Sequence, residues 1–580
     1  MEKIRVVING REVFFDKQVT ILEAAKSIGI RIPALCHMKL EGTDFENKPA
    51  SCRVCVVEVE GRRNLVPSCV DKITDNMVIK TNSFRAIHAR QANLKLLLSN
   101  HPKDCLSCPK NLNCELQDLA EELGIRKNEY EGERMIHNVD EKSAAIVRDP
   151  SKCVMCRRCE VMCNEVQTVG VLSAMMRGFE ATVTPAFNLA LKDSSCVFCG
   201  QCAAVCPTGA IVEKDETYKV WAALRNPDKH VVVQVAPAIR VAIGEMFDME
   251  PGSITTGKLV SALKEIGFDS VFDTDFSADL TIMEEASELV HRITNNGRLP
   301  MLTSCCPAWV RFIEENFPDM LDVPSTCKSP QMMMGAMVKS YYARERNIDP
   351  KDIVMVSIMP CTAKKEEIIR EELKNDGLQN VDIVMSTREL GRMIHLFGLD
   401  FKNLPESQFD QLMGESTGAA VIFGTTGGVI EAAVRTAYEW ITGEELEKVE
   451  FEQLRGFEDI RSATVNIGDK KLRIGIAHGL GNSRELLNGV RDGKYDFDVI
   501  EIMACPGGCI GGGGQPYHHG DMDILQKRRE ALYQADREHK LRKSHDNPMI
   551  KKIYDDFLGD VYGDKAHKYL HTTYRKREKI

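Results

Sequence analysis

The sequence has no excess of positive charge. Its formal net charge is −10 at pH 7, so it lacks the basic face that nucleic acid demands, and nucleic acid is excluded as a partner. The basic end YRKREKI is expected to be a solvated tail. No apolar run approaches the length of a bilayer span, which excludes a membrane-crossing helix. The opening MEKIRVVINGREVFF is charged and alternating and lacks the apolar centre of a signal peptide, so the expected location is cytoplasmic. Nucleotide loops are missing as well. IGIAHGLGNSR has no third glycine of a dinucleotide fingerprint, and CPGGCIGGGGQP has no Lys-Ser/Thr of a phosphate loop. If NADH takes part, another subunit binds it.

What the sequence does have is length and cysteine. Its 580 residues suffice for several domains, and 43% hydrophobic with 28% charged residues is an ordinary globular balance. Its 21 cysteines, in a long chain without an export signal, read as metal ligands rather than disulfides.

The cysteines fall into groups. IRVVI, Asn9-Gly10 and REVFF predict a β-hairpin with a tight turn, and TILEAAKSIGI a helix. Cys36, Cys52, Cys55 and Cys69 follow, spaced C-x15-C-x2-C-x13-C. Residues 83–98 predict a helix leading to His101, Cys105, Cys108 and Cys114, spaced H-x3-C-x2-C-x5-C. Taken alone, either group suits zinc as well as an iron–sulfur cluster. Cys153, Cys156, Cys159 and Cys163 form C-x2-C-x2-C-x3-C, and Cys196, Cys199, Cys202 and Cys206 repeat it, closed by Pro207; the first run ends in Asn164 instead. This is the two-cluster bacterial ferredoxin pattern, in which the fourth cysteine of each run serves the other cluster. One cluster then takes Cys153, Cys156, Cys159 and Cys206, and the other Cys196, Cys199, Cys202 and Cys163.

The first two groups resemble the N-terminal part of iron-only hydrogenases and of the large iron–sulfur subunit of respiratory NADH dehydrogenase. The resemblance implies a [2Fe–2S] cluster on the first group and a [4Fe–4S] cluster with one histidine and three cysteines on the second. The first 210 residues or so then form an electron wire of four clusters.

The remainder reads as α/β. Apolar runs such as HVVVQVAP, DIVMVSIMPC, GAAVIFG, LRIGIAHG and DVIEIMAC alternate with helical stretches, and several end in glycine- or cysteine-bearing loops. Sites gather at the carboxyl ends of strands in such sheets. Three of these loops are specific: TSCCPAW, MPCTAKKEE and EIMACPGGCIGGGGQP. They resemble the three signature segments of the [FeFe]-hydrogenase catalytic domain, and with the four-cluster part the likeness spans nearly the whole chain.

The resemblance implies a multidomain α+β and α/β fold: a [2Fe–2S] domain over 1–80, a histidine-ligated [4Fe–4S] domain over 81–140, a two-[4Fe–4S] domain over 141–212, and a catalytic domain with a helical tail over 213–580. It implies reversible reduction of protons to H₂ at an H-cluster, a [4Fe–4S] cubane joined to a di-iron unit carrying CO, cyanide and azadithiolate. Cys306, Cys361, Cys505 and Cys509 are the implied cubane ligands, with Cys509 also bridging to the di-iron unit. Lys364 is the implied cyanide partner, with Glu367 to offset its charge. Ala236, Pro237, Gln331, Met359, Phe423 and Met503 are the implied pocket lining. Electrons would come from ferredoxin or an NADH-linked partner subunit, and dedicated maturation proteins would supply the di-iron unit.

Neighbouring side chains diverge, so Cys305 and Cys306 are not expected to serve one cluster together; with Cys306 the implied cubane ligand, the resemblance leaves Cys305 over. The resemblance makes it the proton donor and acceptor next to the bridgehead amine, fed through Arg292, Glu288, Ser325 and Glu285. From the residues alone, two glutamates three apart on a helix read as an exposed charged face; the resemblance reverses that reading. Cys327 is unassigned and is expected to be a small buried residue. VAPAIR has Ala238 where the best-known clostridial members carry serine, so a hydroxyl donor to cyanide is absent. Two rival readings share parts of this pattern: an electron-transfer subunit of NADH dehydrogenase, and a non-catalytic relative in iron–sulfur assembly or hydrogen sensing. The first has no need of the three C-terminal segments. The second shares the C-terminal fold, but a complete motif set with Cys305 favours turnover.

Overall fold

The computed structural model describes residues 3–295, 297–468 and 470–579. Ile4–Ile8 and Arg11–Phe15 pair as the expected hairpin, with Asn9 and Gly10 at φ of 50° and 81°, the left-handed pair that its two-residue turn requires. The first strand also pairs in parallel with Met77–Lys80, and Val56–Val59 and Val66–Pro67 complete a five-stranded sheet. Helix Ile21–Ser27 lies against it, held at its start by a reciprocal cap between Thr20 and Glu23. Ser83 caps the next helix, Phe84–Asn100, which delivers the chain to His101.

Two short antiparallel pairs follow: Ile146–Arg148 with Ile211–Glu213, and Ser173–Met175 with Thr182–Thr184. Beyond them stand two four-stranded sheets. One is wholly parallel, in the order Ser270–Asp273, His230–Val235, Ile353–Met359, Ile383–Ser386. The other runs Met301–Leu302, Val499–Met503, Lys470–His478, Ile460–Ile467, with only the last strand antiparallel. The central strands His230–Val235, Ile353–Met359 and Val499–Met503 are almost entirely buried and mostly Val, Ile and Met, the composition of strands covered on both faces.

One run departs from its expected form. GAAVIFG makes the short helix Gly418–Val421 and the tight turn Ile422–Gly424 rather than a strand. A short apolar run cannot itself distinguish a buried strand from a buried helix; here it packs against helices Gly428–Thr442 and Asp523–Glu538.

The basic end is anchored at two of its residues, while Arg575, Lys576, Glu578 and Lys579 are exposed as expected of a solvated end. The Tyr574 hydroxyl donates to the Ser325 carbonyl, and Arg577 Nε donates to Glu314 Oε2 at 2.7 Å. Glu314 is fully buried in helix Pro307–Asn316, and an unpaired charge there would be costly. Arg577 and Arg370 compensate it, which anchors the tail. Ile580 lies outside the described residues.

Candidate active site

Four loops at the carboxyl ends of strands from both sheets meet at the site, and three of them carry the remaining cysteine motifs. Leu302 leads to Cys305 and Cys306, Met359 to Cys361, and Met503 to Cys505 and Cys509, while Val235 leads to Ala236 and Pro237. Cys306 stands at the N-cap of helix Pro307–Asn316 in an extended conformation and makes no side-chain cap bond. Burial pushes the Cys505 thiol well up, and so do the neighbouring thiols of Cys361, Cys306 and Cys509, which places the four together. Cys509 is raised by burial, then by Cys361 and Cys306. All 21 cysteines are free of disulfides. Four thiols gathered at one place, none in a disulfide, suit an iron–sulfur cube.

The backbone around these thiols leaves room for a large group. Gly508 has φ of 97°, and a Cβ there would lie 2.8 Å from Thr426 N. Lys364 Nζ donates to the Cys305 carbonyl at 3.1 Å and to Glu367 Oε2 at 2.9 Å. Gln331 Nε2 also donates to Glu367, at 2.9 Å, while its buried Oε1 has no hydrogen-bond partner. Cys305 packs with Phe423 and Met503. Met359 is buried at the end of its strand. Ala238 is fully buried, and its carbonyl accepts Gln515 Nε2 at 3.0 Å.

The two glutamates are not on an exposed face. Glu285 is 2% and Glu288 1% exposed on helix Thr274–Thr294. Glu288 Oε1 accepts Arg292 Nη2 at 2.6 Å, and its Oε2 accepts the Ser325 hydroxyl at 2.9 Å. Glu285 lies beyond Ser325, and its Oε1 has no partner. Burial and the Glu288 charge push Glu285 up to about 8, with the Ser304 N–H and the Ser325 hydroxyl pulling the other way. The Cys305 thiol is pushed well up by burial and then by Glu285. Polar side chains thus follow one another from Arg292 through Glu288 and Ser325 to Glu285, which in turn is near enough to Cys305 to raise its thiol. Cys327 is buried beside them, its N–H donating to Ser325 Oγ at 3.2 Å.

The upstream cysteines also meet in groups. The Cys36 thiol contacts Cys52 and Cys69, and Cys55 contacts Cys69. His101, Cys105, Cys108 and Cys114 line one cavity, and Cys153, Cys156, Cys159 and Cys206 another. Cys163 stands among Cys196, Cys199 and Cys202, where each thiol raises its neighbours after burial has done so. The cross-over of the fourth cysteines is thus present in space. The arrangement is forked rather than linear. Asn47 Nδ2 donates to the carbonyls of both Cys36 and Cys156, at 2.6 and 3.0 Å. Lys110, between Cys108 and Cys114, donates to the Cys206 carbonyl at 3.0 Å. Both outer groups therefore abut the same inner one.

The inner end touches the site. Thr362, next to Cys361, donates to the Phe198 carbonyl at 2.8 Å, and Gln201 Nε2 donates to the Gly511 carbonyl at 2.9 Å. A Cβ on Gly513 would lie 2.6 Å from the Cys199 carbonyl oxygen. Gly481, which resembles part of a nucleotide fingerprint, is also a packing glycine: a Cβ there would meet the Val166 carbonyl at 2.6 Å. Sequence reasoning missed Gln201, Thr362 and Asn47, because no motif marks a residue whose role is to join two domains.

Comparison with known proteins agrees with this layout. Residues 229–513 match the family described as iron only hydrogenase large subunit, C-terminal domain, and 522–577 match iron hydrogenase small subunit. Residues 1–83 match a 2Fe-2S iron-sulfur cluster binding domain, 90–129 the NADH-ubiquinone oxidoreductase-G iron-sulfur binding region, and 152–210 a 4Fe-4S dicluster domain. The chain is 56% identical to the NADP-reducing hydrogenase subunit HndD of Solidesulfovibrio fructosivorans, over 100% of both chains. It is 38% identical to iron hydrogenase 1 of Clostridium pasteurianum, over 98% of this chain and 100% of that one. An apo [FeFe]-hydrogenase structure from Chlamydomonas reinhardtii superposes with a TM-score of 0.57 at 43% identity, over 63% of this chain and 100% of that one.

Proposed function

The chain belongs to the iron-only hydrogenase family, and from that premise we propose how its residues serve the reaction 2H⁺ + 2e⁻ ⇌ H₂. The protein is an [FeFe]-hydrogenase with accessory iron–sulfur domains. The finer assignment is one [2Fe–2S] cluster on Cys36, Cys52, Cys55 and Cys69, and three accessory [4Fe–4S] clusters on the His101 group and the two crossed groups. Cys306, Cys361, Cys505 and Cys509 would hold the cubane, with Cys509 shared with the di-iron unit. Four gathered thiols and a glycine cradle fit that group. When bound, it supplies the redox chemistry at which protons are reduced.

The chain's own residues bind, orient and deliver. Lys364, held by Glu367, presents a fixed ammonium suited to an anionic ligand such as cyanide. Ala236, Pro237, Gln331, Met359, Phe423 and Met503 shape the pocket. Cys305 gives and takes a proton at Sγ, and Glu285, Ser325, Glu288 and Arg292 link it to the surface. The observation that carries this reading is the buried bond of Ser325 to Glu288, with the partnerless oxygen of Glu285 beyond it.

The domain limits 1–80, 81–140, 141–212 and 213–580 follow from the same reading. The likeness to a protein named an NADP-reducing hydrogenase subunit favours a pyridine-nucleotide-linked partner subunit over ferredoxin as the redox partner. Maturation proteins would load the di-iron unit. Among the described residues no helix is long and apolar enough to cross a membrane, which fits the proposed cytoplasmic location.

The test is hydrogen evolution from reduced methyl viologen by protein matured with the di-iron cofactor, beside Cys305→Ala. Turnover in the parent and a loss of about 10²-fold or more in the variant is expected for removal of a proton-transfer group. Equal rates would remove Cys305 from the relay.

A further inference from the structure

Glu288 is met from two sides. On one it accepts from Arg292 and Ser325. On the other stands Thr326, whose Oγ1 is 3.1 Å from Glu288 Oε2. Behind Thr326 lies a histidine that the relay does not use. His571 is 8% exposed and follows the C-terminal helix Asp564–Leu570. Its Nδ1 is 2.7 Å from Thr326 Oγ1, and its Nε2 is 2.9 Å from Glu284 Oε2. Glu284 also accepts the Tyr554 hydroxyl and the Tyr562 N–H. The exposed His567 lies over His571 with ring centroids 4.2 Å apart, and Tyr562 meets both rings edge-on.

The Thr326 hydroxyl has one hydrogen and two acceptors within reach. If the hydrogen goes to Glu288, His571 Nδ1 must donate to Thr326. With Nε2 donating to Glu284, the ring is then an imidazolium. If the hydrogen goes to His571 Nδ1, the ring is neutral and Glu288 Oε2 carries its own proton, which it donates to Thr326 Oγ1. Both arrangements leave the chain Glu284, His571, Thr326, Glu288 bonded throughout, and they differ in where one proton sits.

We propose that His571 is a proton-loading residue that feeds the relay at Glu288 through the Thr326 hydroxyl. The proposal rests on the relay reading above. In the step, the Nδ1–H bond of His571 breaks and Thr326 Oγ1 takes that proton, while the original Thr326 hydrogen passes to Glu288 Oε2. The imidazolium becomes neutral imidazole and the carboxylate becomes a carboxylic acid; no electron moves. Reloading is by exchange with solvent at the His567 side. The groups facing His571 are Glu284 and Glu288 from helix Thr274–Thr294, Tyr554, Tyr562 and His567 from the C-terminal segment, and Cys327, whose backbone bridges to it. Arg292 stands behind Glu288. His571 and Thr326 are positioning residues in this scheme, since neither reaches the cysteine site.

The test compares His571→Gln, Thr326→Val, Thr326→Ser and Glu285→Gln in the matured protein. Hydrogen evolution from methyl viologen is measured against pH, and the infrared carboxylic band of Glu288, identified by its loss in Glu288→Gln, is followed without turnover. His571→Gln and Thr326→Val are each expected to slow evolution about fivefold and to change the shape of the pH profile, because the side branch then no longer delivers a proton to Glu288. Thr326→Ser, which keeps the hydroxyl, restores the parental profile, and of the two threonine variants only Thr326→Val shifts the Glu288 band. Parental pH profiles and an unmoved band in both blocking variants, with Glu285→Gln inactive, would overturn the side branch and leave the relay standing. A loss equal at every pH and not restored by serine would also overturn it, as a purely structural effect. Full activity of Glu285→Gln would sink the relay and the branch with it.

Discussion

Glu285 shows how much of this site depends on single buried atoms. Its carboxyl is pushed up from 4.5 to about 8, first by burial and then by Glu288. It is therefore a group that takes and releases a proton near neutrality. The same shift has a consequence for stability. The folded state holds a proton that the unfolded state has lost between those two values, so this carboxyl's contribution is greatest below 4.5 and declines as pH rises through about 8. Glu285→Gln should abolish most turnover and, separately, remove that decline, so that its urea midpoint gains on the parent as pH rises across the window. A midpoint difference that stays constant with pH would mean that Glu285 is not the proton holder it is taken to be. Asp279, on the same helix, is raised to about 7 by burial and contributes in the same direction.

At the scale of elements, the strand-end loops work because glycine lets them touch. Gly512 lies where a Cβ would be 2.3 Å from the Pro360 carbonyl, and Gly513 where one would be 2.6 Å from that of Cys199. The obstacles are backbone atoms and cannot swing aside. Gly513→Ala should destabilise the fold by about 1–3 kcal/mol through overpacking. Because Cys199 belongs to the cysteine group that touches the catalytic loops, it should also slow hydrogen evolution from the physiological donor more than evolution from a small dye. Denaturation and the two-donor rate ratio read these effects separately. The glycine run was legible in the sequence as a place of close backbone approach. What it approaches was not, since Cys199 lies more than 300 residues earlier.

At the scale of the molecule, the C-terminal segment closes the catalytic domain. Helix Asp523–Glu538 packs against Gly418–Val421, and Arg528 pairs with Glu245 at 2.6 Å. His571, Tyr574 and Arg577 reach Glu284, Ser325 and Glu314. A segment matched by a small-subunit family is thus built into the wall around Glu284 and Ser325, beside the proposed proton relay. Arg577→Ala leaves Glu314, fully buried, with Arg370 as its remaining guanidinium partner. It should cost about 1–3 kcal/mol, read as a lowered melting temperature, with the cofactor's infrared bands in place. A tail that only lay on the surface would give no change. Removing iron with a chelator at mildly acid pH should lower stability further, because thiols that lose metal take up protons and the sites they close fall open.

The cysteine spacings, the hairpin at Asn9-Gly10 and the three signature loops were readable in the sequence alone, because each depends on a local pattern: ligands must be close along the chain, a two-residue turn needs positive φ, and each loop follows directly on an apolar strand run. The burial of Glu285 and Glu288, the helical form of GAAVIFG, the anchored tail, the fork at Asn47 and Lys110, and the bond between Thr326 and His571 were decided only by tertiary structure. Each depends on residues far apart in sequence sharing one low-dielectric volume, where a charge must find a partner or keep its proton.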